Sequence, residues 1–132
     1  MITKLKRPLK LEIGLAPGKG WGVFATSPIF KGEIIEECPV LEIPRKAYQC
    51  VPDLFIDYAF NSLIQNEIPV LLLGFGDVYN HSNTPNAKWD LHPQNNRVFR
   101  FTAIQDIKPG EEVCTHYGNE EYWSQRSHVN LI

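Results

Sequence analysis

Two stretches of the sequence set chemically useful groups side by side. Tyr79, Asn80 and His81 place a phenol, a carboxamide and an imidazole on consecutive residues, followed by the turn-forming run Ser82-Asn83-Thr84-Pro85-Asn86. Groups of this kind can hold a polar ligand, and an imidazole can bind a metal. No second ligand stands at metal-binding spacing from His81, which argues against zinc. The plainer reading is a polar loop whose Asn and Ser side chains satisfy nearby backbone groups. The second stretch is Gly18-Lys19-Gly20-Trp21-Gly22. Its alternating glycines do not follow the G-x-G-x-x-G pattern of a dinucleotide site, and Trp21 to Ala25 has strand composition. It reads as a turn before a strand, or as backbone left bare for close approach to a ligand. Alone, it does not choose.

The elements around these residues are short and frequently interrupted. Pro17-Gly18, Lys31-Gly32, Pro52-Asp53, Asn95-Asn96 and Pro109-Gly110 separate apolar runs of strand length, the pattern of a mostly β protein. Leu11 to Ile13 and Trp21 to Thr26 read as an opening pair of strands. Glu33 to Cys38 and Val40 to Ile43 read as a second pair, broken by Pro39. Ala87 to Leu91 and Arg97 to Ile104 flank Gln94-Asn95-Asn96 as a hairpin, with Phe99, Phe101 and Ala103 on one face and Arg100 and Thr102 on the other. A turn at Lys108-Pro109-Gly110 leads to a last strand, Glu111 to Thr115. Helical signal is thin: Pro52 to Ser62 as helix or strand, a turn or two in Phe75 to His81, and a C-terminal turn in Glu120 to Arg126. No repeat or low-complexity tract is evident.

A chain of 132 residues suits one domain, here taken as 1–132. Hydrophobic residues at 43% and charged residues at 21% are the balance of a folded protein rather than a disordered one. The formal net charge of -2 and the pI of about 6.1 give no electrostatic support for direct nucleic-acid binding, and suit a basic partner better than an acidic one. Cys38, Cys50 and Cys114 are scattered and odd in number, which argues against a disulfide framework and for a reducing compartment. The N-terminal residues lack a signal-peptide pattern, and Ile68 to Leu73 is too short to cross a bilayer. The expectation is a soluble, intracellular protein without membrane association.

Taken together, the motifs resemble one family. Asn80-His81-Ser82-Asn83-Thr84-Pro85-Asn86 is similar to the Asn-His-Ser-x-x-Pro-Asn motif of SET-domain methyltransferases. Gly20 to Ala25 resembles that family's opening Gly-x-Gly motif, and Lys31 to Glu37 its next stretch. Ile107 to Gly118 resembles the closing motif, in which Gly-Glu-Glu leads to a catalytic Tyr-Gly. Four motifs in order, over about residues 19–123, make the match specific. The spacing looks most like the minimal stand-alone, viral-type members, which Gly74-Phe75-Gly76 and Tyr122-Trp123 also resemble. The resemblance implies the SET fold: several small sheets of short strands, little helix, and a pseudoknot-like threading of the C-terminal segment.

It also implies an activity, the transfer of methyl groups from S-adenosylmethionine to a lysine of a protein substrate, with a histone-like tail favoured. The competing reading is a SET-fold module that binds peptide or cofactor without turnover. A free lysine has a pKa near 10.4, so holding it neutral at pH 7 costs roughly 4–5 kcal/mol. A narrow aromatic channel supplies part of that by desolvating the ammonium. By resemblance Tyr117 is the catalytic residue. Asn80 and His81 hold the cofactor together with the backbone of Lys19, Gly20 and Trp21, and Trp123 caps the adenine or anchors the C-terminus. Trp21 and Tyr58 are candidates for the lysine channel wall or for the core. Leu71 to Phe75, with Leu73, Gly74 and Phe75 at its end, is a candidate strand for pairing with substrate peptide. Thr115-His116 replaces the family's frequent aromatic-Asp pair, which leaves the number of methyl groups added open. Flanking zinc segments are missing, so the channel is closed by Asn119 to Arg126 or by a second copy in a homodimer.

Overall fold

The computed structural model describes residues 4–42, 60–61 and 69–116, with backbone only at 60–61 and 69–70. Among them every regular element is a strand: β1 (Leu11–Ala16), β2 (Gly20–Ala25), β3 (Ile34–Glu42), β4 (Phe60–Asn61), β5 (Pro69–Leu72), β6 (Asn80–His81), β7 (Ala87–His92), β8 (Asn95–Ala103) and β9 (Glu112–Thr115). They form two sheets, ordered β1-β2-β9-β6 and β4-β5-β3-β8-β7. All pairings are antiparallel except β6 with β9, where Asn80 lies beside Cys114 and His81 beside Thr115. A parallel pair cannot be closed by a hairpin. The chain therefore leaves at His81, completes β7 and β8 in the other sheet, and returns to lay β9 between β2 and β6.

Alternation makes the core. Phe99, Phe101 and Ala103 are buried while Arg100 and Thr102 are partly exposed, as the period-2 pattern predicts. Val23 and Ala25 from β2 and Val113 from β9 join them from the first sheet, and Ile29 and Ile107 from the connections. The Tyr79 ring stacks on Phe101, with centroids 4.5 Å apart.

Several boundaries differ from the sequence expectation. The two strands expected on either side of Pro39 are one, β3, because Pro39 bonds through its carbonyl, which accepts the Leu73 amide at 2.9 Å, and its missing N–H is not called on there. A register shift between Ile34 and Glu36 lets Ile35, Glu36 and Cys38 all turn inward. The β7–β8 turn falls on Pro93-Gln94, and Asn95 and Asn96 already belong to β8. His92 sets it, its Nδ1 accepting the Gln94 amide at 3.0 Å. Phe75 to His81 holds no helix but a turn over residues 73–78 and then β6. Pro52 to Ser62, apart from β4, and Glu120 to Arg126 lie outside the described residues.

A short repeat is present after all. Ile29-Phe30-Lys31-Gly32-Glu33 and Ile107-Lys108-Pro109-Gly110-Glu111 build the same turn twice. Gly32 and Gly110 sit at φ 89° and 88°, a region open to glycine. Glu33 Oε1 accepts the Phe30 amide, and Glu111 Oε1 the Lys108 amide. Ile29 and Ile107 exchange backbone hydrogen bonds of 2.9 and 2.7 Å, so the two turns lock face to face where β2 leads to β3 and β8 leads to β9.

Candidate active site

The two chemically rich stretches come together where β2, β9 and β6 lie side by side. Asn80 begins β6, and its Nδ2 donates to the Trp21 carbonyl at 3.1 Å and to Glu112 Oε2 at 2.7 Å. The other oxygen of Glu112 receives Lys19 Nζ at 3.3 Å, both side chains being mostly shielded. An ammonium, a carboxylate and a carboxamide thus form one partly buried polar cluster, in which each can exchange its present partner for a charged or polar ligand. Gly22 makes room for it. A Cβ there would lie 2.7 Å from Glu112 Oε2 and 2.9 Å from Asn80 Nδ2. Gly20, at φ 81°, has open space where its side chain would be, so its backbone is accessible to a ligand.

His81 is 3% exposed. Its Nε2 lies 2.9 Å from Asn83 Oδ1, and its ring meets the edge of His116 at a centroid distance of 4.7 Å. The loop after it is tied down by Ser82 Oγ accepting the Thr84 amide. Asn86 then reaches across to β9, donating to the Glu112 carbonyl at 2.8 Å and accepting the Cys114 amide at 2.9 Å. Its side chain serves β9 as a neighbouring strand would. Thr115 is buried, and its hydroxyl has no hydrogen-bond partner among the described residues. Burial first, and the Glu112 charge second, push the Cys114 thiol up to about 11, which favours the neutral thiol at pH 7.

The expected residues therefore divide into groups. Lys19, Gly20, Trp21, Asn80 and His81 lie at one place. Trp21 is 63% exposed on the surface side of β2, so it is not core. Leu73, Gly74 and Phe75 lie on the turn after β5 rather than on a strand, with Gly74 at φ 102°. β5 has β3 on one side and β4 on the other, so it is no open edge at Pro69–Val70. Tyr58, Tyr117 and Trp123 fall outside the described residues. The sequence reading passed over Glu112 as part of a motif and did not single out Glu36. Alternation carries the signal for Glu36: counting back by two from the apolar Cys38 puts it on the inward face, where a carboxylate needs partners.

The Asn80–Glu112–Lys19 cluster is built from the opening, Asn-His and closing motifs in one place, and a profile of the SET domain matches residues 20–118. The chain belongs to the SET-domain family. Among relatives, a Schizosaccharomyces pombe histone-lysine N-methyltransferase specific for H3 lysine-37 is 31% identical over 126 residues, covering 96% of this chain and 84% of the relative. Danio rerio SMYD5, a protein-lysine N-trimethyltransferase, is 31% identical over 106 residues, 76% of this chain but 24% of its own length. The crystal structure of a candidate histone methyltransferase from Plasmodium falciparum superposes with a TM-score of 0.70 at 33% identity, covering 86% of this chain and 96% of that one. The mostly β SET fold and the protein-lysine methyltransferase class expected from the sequence both stand. Among the described residues no group of three or more His, Cys, Asp or Glu is placed to hold a metal ion, and no helix is long and apolar enough to cross a membrane.

Proposed function

We propose that this SET-domain chain moves methyl groups from S-adenosylmethionine to a lysine in a basic protein tail, a histone tail being the favoured acceptor. The observation that carries the reading is the shared Asn80–Glu112–Lys19 cluster beside the bare backbone of Gly20. Its donor set fits the cofactor's zwitterionic end: Lys19 for the carboxylate, Glu112 and the Asn80 side-chain oxygen for the ammonium. His81, buried at the next position of β6, is the candidate for the adenine end. Bound S-adenosylmethionine supplies an electrophilic methyl on sulfur. The chain's own work is alignment and the delivery of a neutral amine.

Tyr117 is proposed as the residue that orients that amine, two positions after the buried Thr115 of β9. Trp21 and Tyr58 are proposed for the channel wall, Trp123 for the adenine, and Leu73 to Phe75 for the peptide rim. The net charge of -2 suits a lysine-rich acceptor. A single domain over 1–132 is proposed, with closure of the channel by Asn119 to Arg126 or by a second copy.

The test is transfer of labelled methyl from S-adenosylmethionine to recombinant histone H3, ribosomal proteins and a cell lysate, with modified residues mapped by mass spectrometry. Label on a lysine is expected. Cofactor binding without transfer to any lysine would mean a binding module instead. Tyr117→Phe is expected to abolish turnover while leaving the cofactor Kd within a few-fold. A variant with wild-type rate would remove Tyr117 from the chemistry.

A further inference from the structure

Beneath the turn at residues 73–78 lies a buried carboxylate outside the Asn80–Glu112–Lys19 cluster. Glu36, 1% exposed near the start of β3, accepts the Tyr79 hydroxyl at 2.6 Å through Oε1 and the Phe75 amide at 3.4 Å through Oε2. The turn is shaped to this carboxylate. Gly74 stands where a Cβ would be 3.0 Å from Glu36 Oε2, and a Cβ at Gly76 would be 2.6 Å from the Leu72 side chain and 3.2 Å from Cys38 Sγ. The Leu73 amide is held separately by the Pro39 carbonyl, and the Leu72 amide by Asp77 Oδ2. The result is a turn whose outer side exposes Leu73, at 52%, and whose inner side hangs on β3.

The geometry matters because of what each bond holds. Phe75 belongs to the proposed peptide rim. Tyr79 immediately precedes Asn80 and is pinned on its other side by Phe101. One carboxylate therefore fixes the distance between the rim and the cofactor pair. We propose that Glu36 is a positioning residue for the substrate: by bonding the Phe75 amide and the Tyr79 hydroxyl together, it sets the Leu73–Phe75 rim against the methyl-transfer site. The proposal rests on the reading of Leu73 to Phe75 as substrate-binding.

Glu36→Gln keeps the size but loses an acceptor, and turns an amide NH2 toward groups that themselves donate. In a folded Glu36→Gln protein, amide exchange at Phe75 is expected to quicken at least tenfold. KM for histone H3 is expected to rise about tenfold with kcat within threefold, and the directly titrated Kd for S-adenosylmethionine within twofold. The double variant Glu36→Leu/Tyr79→Phe fills the same space with apolar groups, so it folds without the anchor; the same KM rise is expected of it. Unchanged exchange at Phe75, a double variant with wild-type KM, or a cofactor Kd that weakens in step with KM would each overturn the proposal. A wild-type protein that methylates nothing sinks the functional reading instead. The exchange measurement still decides whether Glu36 holds the rim.

Discussion

Asp77 is the least comfortable side chain of the described residues. One carboxylate oxygen accepts the Leu72 amide at 2.8 Å, and the other is buried without a hydrogen-bond partner among the described residues. Burial pushes its pKa up to about 7 from 3.8, opposed only by that backbone bond. The folded state thus binds a proton more readily than the unfolded chain between about pH 4 and pH 7. In that window the native protein carries more protons, so Asp77 lowers stability as the pH rises. The ionised carboxylate costs on the order of 4 kcal/mol, and the unpaired amide nitrogen of an asparagine costs roughly 1–3. Asp77→Asn is therefore expected to stabilise the fold by about 1–3 kcal/mol at pH 8 and to gain little at pH 5, read from urea unfolding at both pH values. A pH-independent difference would mean that Asp77 binds its proton equally in the folded and unfolded chain, its pKa not raised by burial. Asp77 does not announce itself in the sequence, because a turn places its carboxylate inward only after folding, whereas Glu36 could have been read from strand alternation with Cys38. Asn80 and His81 were legible at once, since their types are rare together and their neighbours complete a motif.

The strands were mostly legible because burial follows alternation, and the corrections fall where a local bond overrides it. Pro39 continues a strand since its carbonyl, not its nitrogen, is in use. His92 moves the hairpin turn one step, and its ring is held on both sides. With Nδ1 accepting from Gln94, the proton sits on Nε2, which donates to Glu37 at 3.1 Å. Arg100 bonds the same Glu37 oxygen at 3.0 Å, so β7, β8 and β3 meet on one carboxylate. Gly22 in β2 is the element-level constraint on the site. In Gly22→Ala the new methyl meets the far ends of the Glu112 and Asn80 side chains, which can swing aside, and the Ala16 Cβ at 3.1 Å, which must give by a few tenths of an ångström. The fold is expected to survive with a melting temperature within about 5 °C of wild type, a loss of roughly 1 kcal/mol. The Asn80–Glu112 bond does not survive, and calorimetric titration should show S-adenosylmethionine binding at least tenfold weaker. Unaltered affinity would separate this cluster from the cofactor.

At the scale of the molecule, the return of β9 to lie between β2 and β6 is the pairing that no run of residues forecasts. It joins residues far apart in the chain, and only the family resemblance pointed to it. Asn86 holds it, bonding both the carbonyl of Glu112 and the amide of Cys114. Asn86→Ala leaves both backbone groups to find other partners, and a loss of about 2 kcal/mol is expected in chemical denaturation; a loss below about 0.5 would show that β9 stays seated without the latch. The two sheets are joined by four described passages of chain. Two are the matched turns at Ile29 and Ile107, which grip one another like crossed fingers. The others are the segments 73–79 and 82–86, on either side of Asn80 and His81. The residues proposed to hold the cofactor are thus also a strut between the halves of the molecule. A ligand seated on that strut braces the whole frame, and any slip of one half against the other is felt first by the ligand.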